Sequence, residues 1–303
     1  MSLDADDSLV SWEEIRDVEL VIRRRMQELM GGIHPSLVHG PGHDLAGLRN
    51  WEPGDRPSAI DWAQSTLTNF SPLMTREFDQ ESSAAVIIAA DVSDSTRCGA
   101  GGESIARVIA HTVATFALAA AFFQDRAGLV TFDRDVRRIA VRPQPGRNHA
   151  IHCVDVYQDQ LLGRYGAEPA SHRTFAELLR RRSLVPVISD FLFDDTDAFL
   201  TELADLNSAH DVFVVLIDSA FAFELPPLSA GWIEAADAET GRTRMLAADD
   251  VRQLARRIGE WQDAVEHQAR DRGLDVLRLG GAGRHFHDTV VAFLLERKQM
   301  KRR

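Results

Sequence analysis

Residues 84–90 (AAVIIAA) form an unbroken apolar run that stops at Asp91. An apolar run of this length ending in turn formers describes a strand buried on both faces, as inside a parallel sheet. Behind it come Asp91, Ser93, Asp94, Ser95 and Thr96, then Gly99, Gly101 and Gly102. Over residues 105–123 the apolar positions Ile105, Val108, Ile109, Val113, Phe116 and Ala120 recur at spacings of three and four, the period of a helix. The polar cluster therefore falls in a strand-to-helix turn at the carboxyl end of a strand, where open α/β sheets place their ligands. The spacing Asp-x-Ser-x-Ser sets Asp91, Ser93 and Ser95 on one short loop, three hard oxygens of the kind magnesium takes. The plain alternative is that Ser93, Asp94 or Ser95 only caps the following helix. The rest of the chain has to separate the two.

Composition removes several classes of function. With 45% apolar and 26% charged residues in 303, the chain is ordinary globular material with length for a substantial core. A net charge of −12 argues against nucleic acid as the main partner. Lysine occurs only at Lys298 and Lys301, so no Walker-type phosphate loop and no internal Schiff-base lysine is available. Cys98 and Cys153 make no disulfide framework and no Cys-x-x-Cys. The most apolar stretch, residues 109–123, carries His111 and two threonines, and no transmembrane span is expected. The acidic start MSLDADDSLV lacks a signal-peptide pattern, which makes a cytoplasmic location the expectation.

The elements follow in order. Residues 8–30 read as an amphipathic helix with Leu9, Trp12, Ile15, Val18, Ile22, Met26 and Leu29 on one face, ended by Gly31-Gly32. Residues 33–82 form a β-rich leader anchored on the main domain by Trp51, Ile60 and Trp62. It includes a strand within residues 69–81, and its His34, His39 and His43 are spaced unlike a zinc motif. Further strands are expected at 127–132, 136–141, 184–189, 212–217 and 274–279, the second joined to the first through a turn at Asp133, Arg134 and Asp135. Helices are expected at 148–162, 175–182 (capped by Thr174), 197–207, 251–271 and 289–300, with 163–172 a loop. A β-hairpin spans about 231–247 and turns at Glu239, Thr240 and Gly241. The resulting domains are a helix (1–32), the leader (33–82), the main domain (83–297) and a basic tail (298–303). Strands alternating with helices imply an α/β fold, a doubly wound, mostly parallel sheet with helices on both faces.

Three pieces then converge on one end of that sheet. Asp91 follows the first core strand, Asp190 follows the strand at 184–189, and Thr174 lies just before that strand. In the common doubly wound order these two strands are neighbours at the topological switch point. Asp91, Ser93, Ser95, Thr174 and Asp190 would then make a sparse oxygen site for Mg2+ or Mn2+, completed by water or an incoming carboxylate. His285-Phe286-His287 reads as surface or capping groups. Asp194-Asp195 and Asp249-Asp250 read as charges on helix starts.

This set of residues resembles the metal-ion-dependent adhesion site of von Willebrand factor A domains. Outside it, Gly47-Leu48-Arg49-Asn50-Trp51-Glu52-Pro53-Gly54-Asp55, Ile60-Asp61-Trp62 and Thr75-Arg76-Glu77-Phe78 resemble the leader of the bacterial domain-of-unknown-function family 58. Ile188-Ser189-Asp190-Phe191, His210-Asp211-Val212 and Asp237-Ala238-Glu239-Thr240-Gly241 continue the likeness. One departure is Ser58-Ala59 before Ile60-Asp61-Trp62, where that family usually has a basic residue. The resemblance implies a von Willebrand factor A-like (Rossmann-like) domain, of the shorter kind without membrane helices. It implies a role beside a MoxR-type AAA+ ATPase in assembly, maturation or metal insertion of a client protein complex, binding without catalysis. Two other readings stay open. One is a structural scaffold with a vestigial metal site; the other is a Mg-dependent phosphohydrolase using Asp91. Ser93 stands where such a hydrolase needs a second acid, and no lysine is near.

Overall fold

A computed structural model describes residues 8–30, 44–52, 60–67, 69–79, 85–100, 102–133, 136–163, 171–172, 174–223, 232–236, 243–281 and 286–300. His34, His39, His43, His285, Gly31-Gly32, the turns at 134–135 and 239–241, and residues 301–303 of the expected tail lie outside them. The chain divides into two compact units, Met1–Leu29 with Ala84–Arg303 and Met30–Ser83.

Helix α1 (Trp12–Met30) opens with a reciprocal cap, Ser11 N–H to Glu14 Oε2 at 2.7 Å and Glu14 N–H to Ser11 Oγ at 3.3 Å. Ile15, Val18 and Ile22 are buried from its expected apolar face, together with Leu9. Trp12 is not; as the first helical residue it projects to solvent at 65% exposure.

In the smaller unit, β1 (Asp44–Asn50) pairs antiparallel with β2 (Met74–Asp79), and α2 (Trp62–Leu67) stands between them in sequence. The Ile60-Asp61-Trp62 motif works through its middle residue. Asp61 Oδ1 accepts from Ala63 N–H and Gln64 N–H at 3.1 and 3.2 Å, while Asp61 N–H donates to Met74 O. Ser65 Oγ accepts Met74 N–H at 2.8 Å. These polar bonds fasten α2 and leave Trp62 60% exposed, so it is no core anchor; Trp51 and Ile60 are half-buried.

The main unit is built on β3 (Ala85–Asp91). A two-residue ladder of β4 (Gly99–Ala100) and β5 (Glu103–Ser104) leads to α3 (Ile105–Phe122), β6 (Arg126–Asp133), β7 (Val136–Pro145) and α4 (Arg147–Leu161). Then come β8 (Ser171–His172), α5 (Phe175–Leu178), β9 (Ser183–Ser189), α6 (Thr196–Asn207) and β10 (Asp211–Ile217). The hairpin β11 (Trp232–Ala236) and β12 (Thr243–Ala247) runs into α7 (Ala248–Asp271), followed by β13 (Asp275–Leu279) and α8 (Phe286–Met300).

The sheet order is β13-β10-β9-β3-β6-β7-β8. Five strands from β13 to β6 are parallel, and β7 returns antiparallel to β6. Setting aside the two-residue β8 and counting only the longer strands of this sheet, the order is 3-2-1-4-5-6 with β3 first, the doubly wound order. Alternation along each strand feeds two cores. Val86, Ile88 and Ala90 join Phe213, Val215 and Ile217 on the face covered by α1, α3, α4 and α8. Ala85, Ile87 and Ala89 join Val212, Val214 and Leu216 on the face of α6 and α7. The β3–β9 ladder lapses opposite Val185 and Pro186, where proline offers no N–H.

Four helices depart from expectation by three residues or more; α1 begins at Trp12 rather than at residue 8, and α7 at Ala248 rather than at residue 251. The one predicted at 175–182 stops at Leu178, because Ser183 is already paired with Ala85 in the sheet and the chain must extend to reach it. The last helix begins at Phe286 rather than at residue 289, which brings His287 inside it. Helix α3 is apolar enough to cross a membrane by composition, with mean hydropathy 1.7 over 18 residues, yet 83% of that window is buried within the fold. It is the central helix of one core face, capped by Ser104 Oγ accepting Arg107 N–H at 3.2 Å.

Candidate functional site

Asp91 ends β3 and Asp190 follows β9, adjacent parallel strands, so both carboxylates emerge at the carboxyl edge of the sheet at the switch point. Both side chains are buried, with 1% and 0% exposure. Past Asp91 the chain turns through a 3-10 segment, Asp94–Arg97, and returns two hydroxyls to the same place. Asp91 Oδ1 accepts Ser93 N–H at 2.8 Å, and Ser93 Oγ lies 3.0 Å from Ser95 Oγ. Ser95 Oγ reaches Asp190 Oδ1 at 3.4 Å, and the same oxygen accepts Leu192 N–H at 3.1 Å.

Four of the five expected ligands, Asp91, Ser93, Ser95 and Asp190, are thus joined in one hydrogen-bonded group. Thr174 is placed differently. It caps the amino end of α5 without a side-chain cap bond, and no hydrogen bond among the described residues ties it to the other four. Register puts His172, two residues earlier, in the same row of the sheet as Asp91, through Phe132 and Arg137. Three ladder steps of about 4.8 Å separate the two backbones.

The cap-only reading of Ser93 to Ser95 fails on the geometry. Ser93 precedes the 3-10 turn without a side-chain cap bond, and the cap of α3 is Ser104.

Residues outside the expected ligand set complete the surroundings. Ser189, wholly buried, donates its hydroxyl to Asp91 Oδ2 at 2.5 Å and accepts Phe191 N–H at 2.8 Å. Tyr157 from α4 donates to Asp91 O at 2.9 Å. Burial, and then the charges of Asp91 and Asp190, push the Tyr157 hydroxyl far above its ordinary range, which keeps it a neutral donor. A serine closing a buried strand just before an acid was the available signal for Ser189. For Tyr157 there was none.

Burial raises the carboxyl of Asp91, against the opposing hydrogen bonds of Ser189 and Ser93. Burial, then the charge of Asp91, raises Asp190 to about 7. Two carboxylates confined together at neutral pH favour sharing a cation or a proton.

The donors present suit a hard divalent cation. Asp190 Oδ2 is enclosed and has no hydrogen-bond partner, a state that calls for an explanation in a buried carboxylate. The 3.0 Å between the two serine hydroxyls equals the edge of an octahedron with ligands at about 2.1 Å, the magnesium distance. All donors are oxygens, which favours Mg2+ or Mn2+ over zinc or copper. Among the described residues, no three His, Cys, Asp or Glu side chains gather to hold a metal, so hydroxyls would have to supply part of any coordination shell.

Other candidates resolve into structure. Burial pushes the Cys153 thiol up to about 12, and Cys98 and Cys153 are not joined in a disulfide. His287 is half-buried, with Nδ1 2.8 Å from Thr115 Oγ1, an internal partner where a surface role was expected. Asp249 and Asp250 lie in the first turn of α7 as expected.

Known proteins supply the remaining context. The uncharacterized proteins Mb1516 of Mycobacterium bovis and Rv1480 of Mycobacterium tuberculosis are each 24% identical over 307 residues, 98% of this chain and 92% of theirs. Two solved structures are similar at low scores. BatB from Bacteroides thetaiotaomicron has a TM-score of 0.40 and 15% identity, covering 73% of this chain and 100% of that one. An aerotolerance-related membrane protein from Bacteroides fragilis has a TM-score of 0.39 and 11% identity, covering 71% and 99%. The family model of DUF58, described as a protein of unknown function, matches residues 47–268, and the chain belongs to that family.

Proposed function

We propose that the chain is a protein-binding module of the von Willebrand factor A type, cation-dependent and non-enzymatic, in which Asp91, Ser93, Ser95 and Asp190 hold Mg2+ or Mn2+. Thr174, at the amino end of α5, is the fifth ligand of this proposal. One observation carries the reading: two buried carboxylates from adjacent strand ends meet two hydroxyls 3.0 Å apart, with Asp190 Oδ2 left unpartnered. A cation held there offers an open coordination position to an incoming carboxylate oxygen. The chain's own part is to desolvate the two acids, orient them through Ser189 and the Ser93 and Leu192 N–H groups, and present both hydroxyls from one turn.

Binding fits this geometry better than phosphoryl chemistry. Both oxygens of Asp91 are engaged, by Ser93 N–H and Ser189 Oγ, and the side chain is 1% exposed, poor conditions for a nucleophile. The partners proposed are a MoxR-type AAA+ ATPase and a client protein undergoing assembly, maturation or metal insertion in the cytoplasm. This part rests on the family resemblance of the sequence. A pull-down of the purified chain with such an ATPase from the same genome tests it. Capture in Mg2+ that is lost in EDTA and in Asp91→Ala is expected; no capture in either condition rejects the partnership.

A further inference from the structure

Helix α7 contributes no oxygen to the site, yet two consecutive residues on it hold the backbone that carries Asp190. Gln262 is completely buried on the apolar face that α7 presents with Val265 and Ala269. An amide enclosed in that way costs several kcal/mol unless it is fully paired, and this one is. The two Nε2 hydrogens are shared among Asp190 O at 2.9 Å, Ile217 O at 2.8 Å and Ser219 Oγ at 3.1 Å, while Oε1 accepts Ser219 N–H at 3.1 Å. The need to accept from Ser219 N–H fixes which end of the amide faces Asp190. One side chain therefore closes the ends of β9 and β10, where the sheet ladder stops supplying donors.

The neighbouring residue repeats the device one step along. Trp261 Nε1 donates to Phe191 O at 2.9 Å. Phe191 sits at φ 54°, in the left-handed region that a bulky side chain adopts only when its surroundings hold it there. Its N–H is fixed by Ser189 Oγ, the same hydroxyl that donates to Asp91. Residues 261 and 262 thus grip carbonyls 191 and 190, and the turn they grip sets where the Asp190 carboxylate points.

We propose that Gln262 and Trp261 are positioning residues for the cation site: they hold the Asp190 turn in its liganding geometry, so the affinity of the site is set by a helix that supplies no ligand. The inference rests on the cation reading above. A purely structural clamp would cost stability when broken and leave affinity alone; a positioning clamp costs affinity as well.

Mn2+ binding to the full chain, read from the electron paramagnetic resonance signal of free Mn2+, separates these outcomes. Trp261→Phe deletes a single donor at a half-exposed side chain and should weaken Mn2+ binding about two- to tenfold, the effect of one net hydrogen bond. Gln262→Leu deletes the whole set and should weaken it by more than about tenfold. Val265→Ala, a core truncation on the same helix, should lower the thermal midpoint with Mn2+ affinity unchanged. Should Gln262→Leu fail to fold, Trp261→Phe decides alone. Wild-type binding with Trp261→Phe and any folded Gln262→Leu matching it within error overturns this inference and leaves the cation reading standing. No Mn2+ binding by the wild type overturns both.

Discussion

At the scale of single residues, the site carries a conflict between stability and function. Asp190 and Asp91 are both buried, and the charge of Asp91 adds to burial in raising the cost of ionising Asp190. Removing one charge should therefore help the metal-free fold. Asp190→Asn keeps the shape, and its Oδ1 can still accept from Leu192 N–H. We expect its thermal midpoint in EDTA at pH 8 to exceed that of the wild type by a few degrees, while Mg2+ no longer raises it. A calorimetric scan with and without Mg2+ checks both halves. A lower midpoint in EDTA would mean that the Asp190 charge is compensated by groups other than a cation.

Elements show the same economy around α3, whose buried flank meets α1 and α8. His111 is 4% exposed and neither ring nitrogen has a hydrogen-bond partner; its nearest charge is Glu14, with Nε2 to Oε1 at 3.5 Å. Arg107 binds the same carboxylate at 2.5 Å, and the His287 ring lies 5.6 Å from that of His111. Burial lowers His111, and burial followed by the charge of His111 lowers His287 to about 4; Asp288 and Glu14 oppose the latter. Burial alone would raise Glu14, but the Ser11 hydrogen bonds, His111 and Arg107 outweigh it and the net is downward.

The sign for the histidines follows from linkage. Unfolded histidine titrates near 6.5, above its folded value here, so the unfolded chain takes up the proton first. The stability from neutral His287 is complete above about pH 6.5 and is lost as pH falls towards about 4, amounting to roughly 3 kcal/mol. Replacing His287 by Asn should flatten the denaturation midpoint between pH 7 and 5 relative to the wild type. An unchanged pH slope would place the acid sensitivity elsewhere.

For the whole molecule, what could be read from the sequence depended on whether a local pattern carried the information. Residues 84–90 announced the central strand because burial on both faces leaves no polar position. Asp190 was legible because it ends a second run of the same kind. Strand adjacency followed from the doubly wound rule, and β3 does lie against β9.

The misses have one physical source: tertiary pairing outranked local propensity. The run TFAELLRRR favours helix to residue 182, but Ser183 is claimed by the ladder with Ala85. Trp62 reads as an anchor, yet Asp61 and Ser65 do the fastening. Gln262 looks like one more polar residue of an amphipathic helix, and only the fold brings it to Asp190.

The central claim is that the oxygen cluster at the end of β3 and β9 holds a divalent cation. Isothermal titration of Mn2+ into the metal-free chain, beside Asp91→Ala, tests it most directly. The account predicts one site per chain for the wild type and none for Asp91→Ala, with the far-ultraviolet circular dichroism of the two unchanged. Equal binding by the folded variant, or no binding by the wild type, would contradict it.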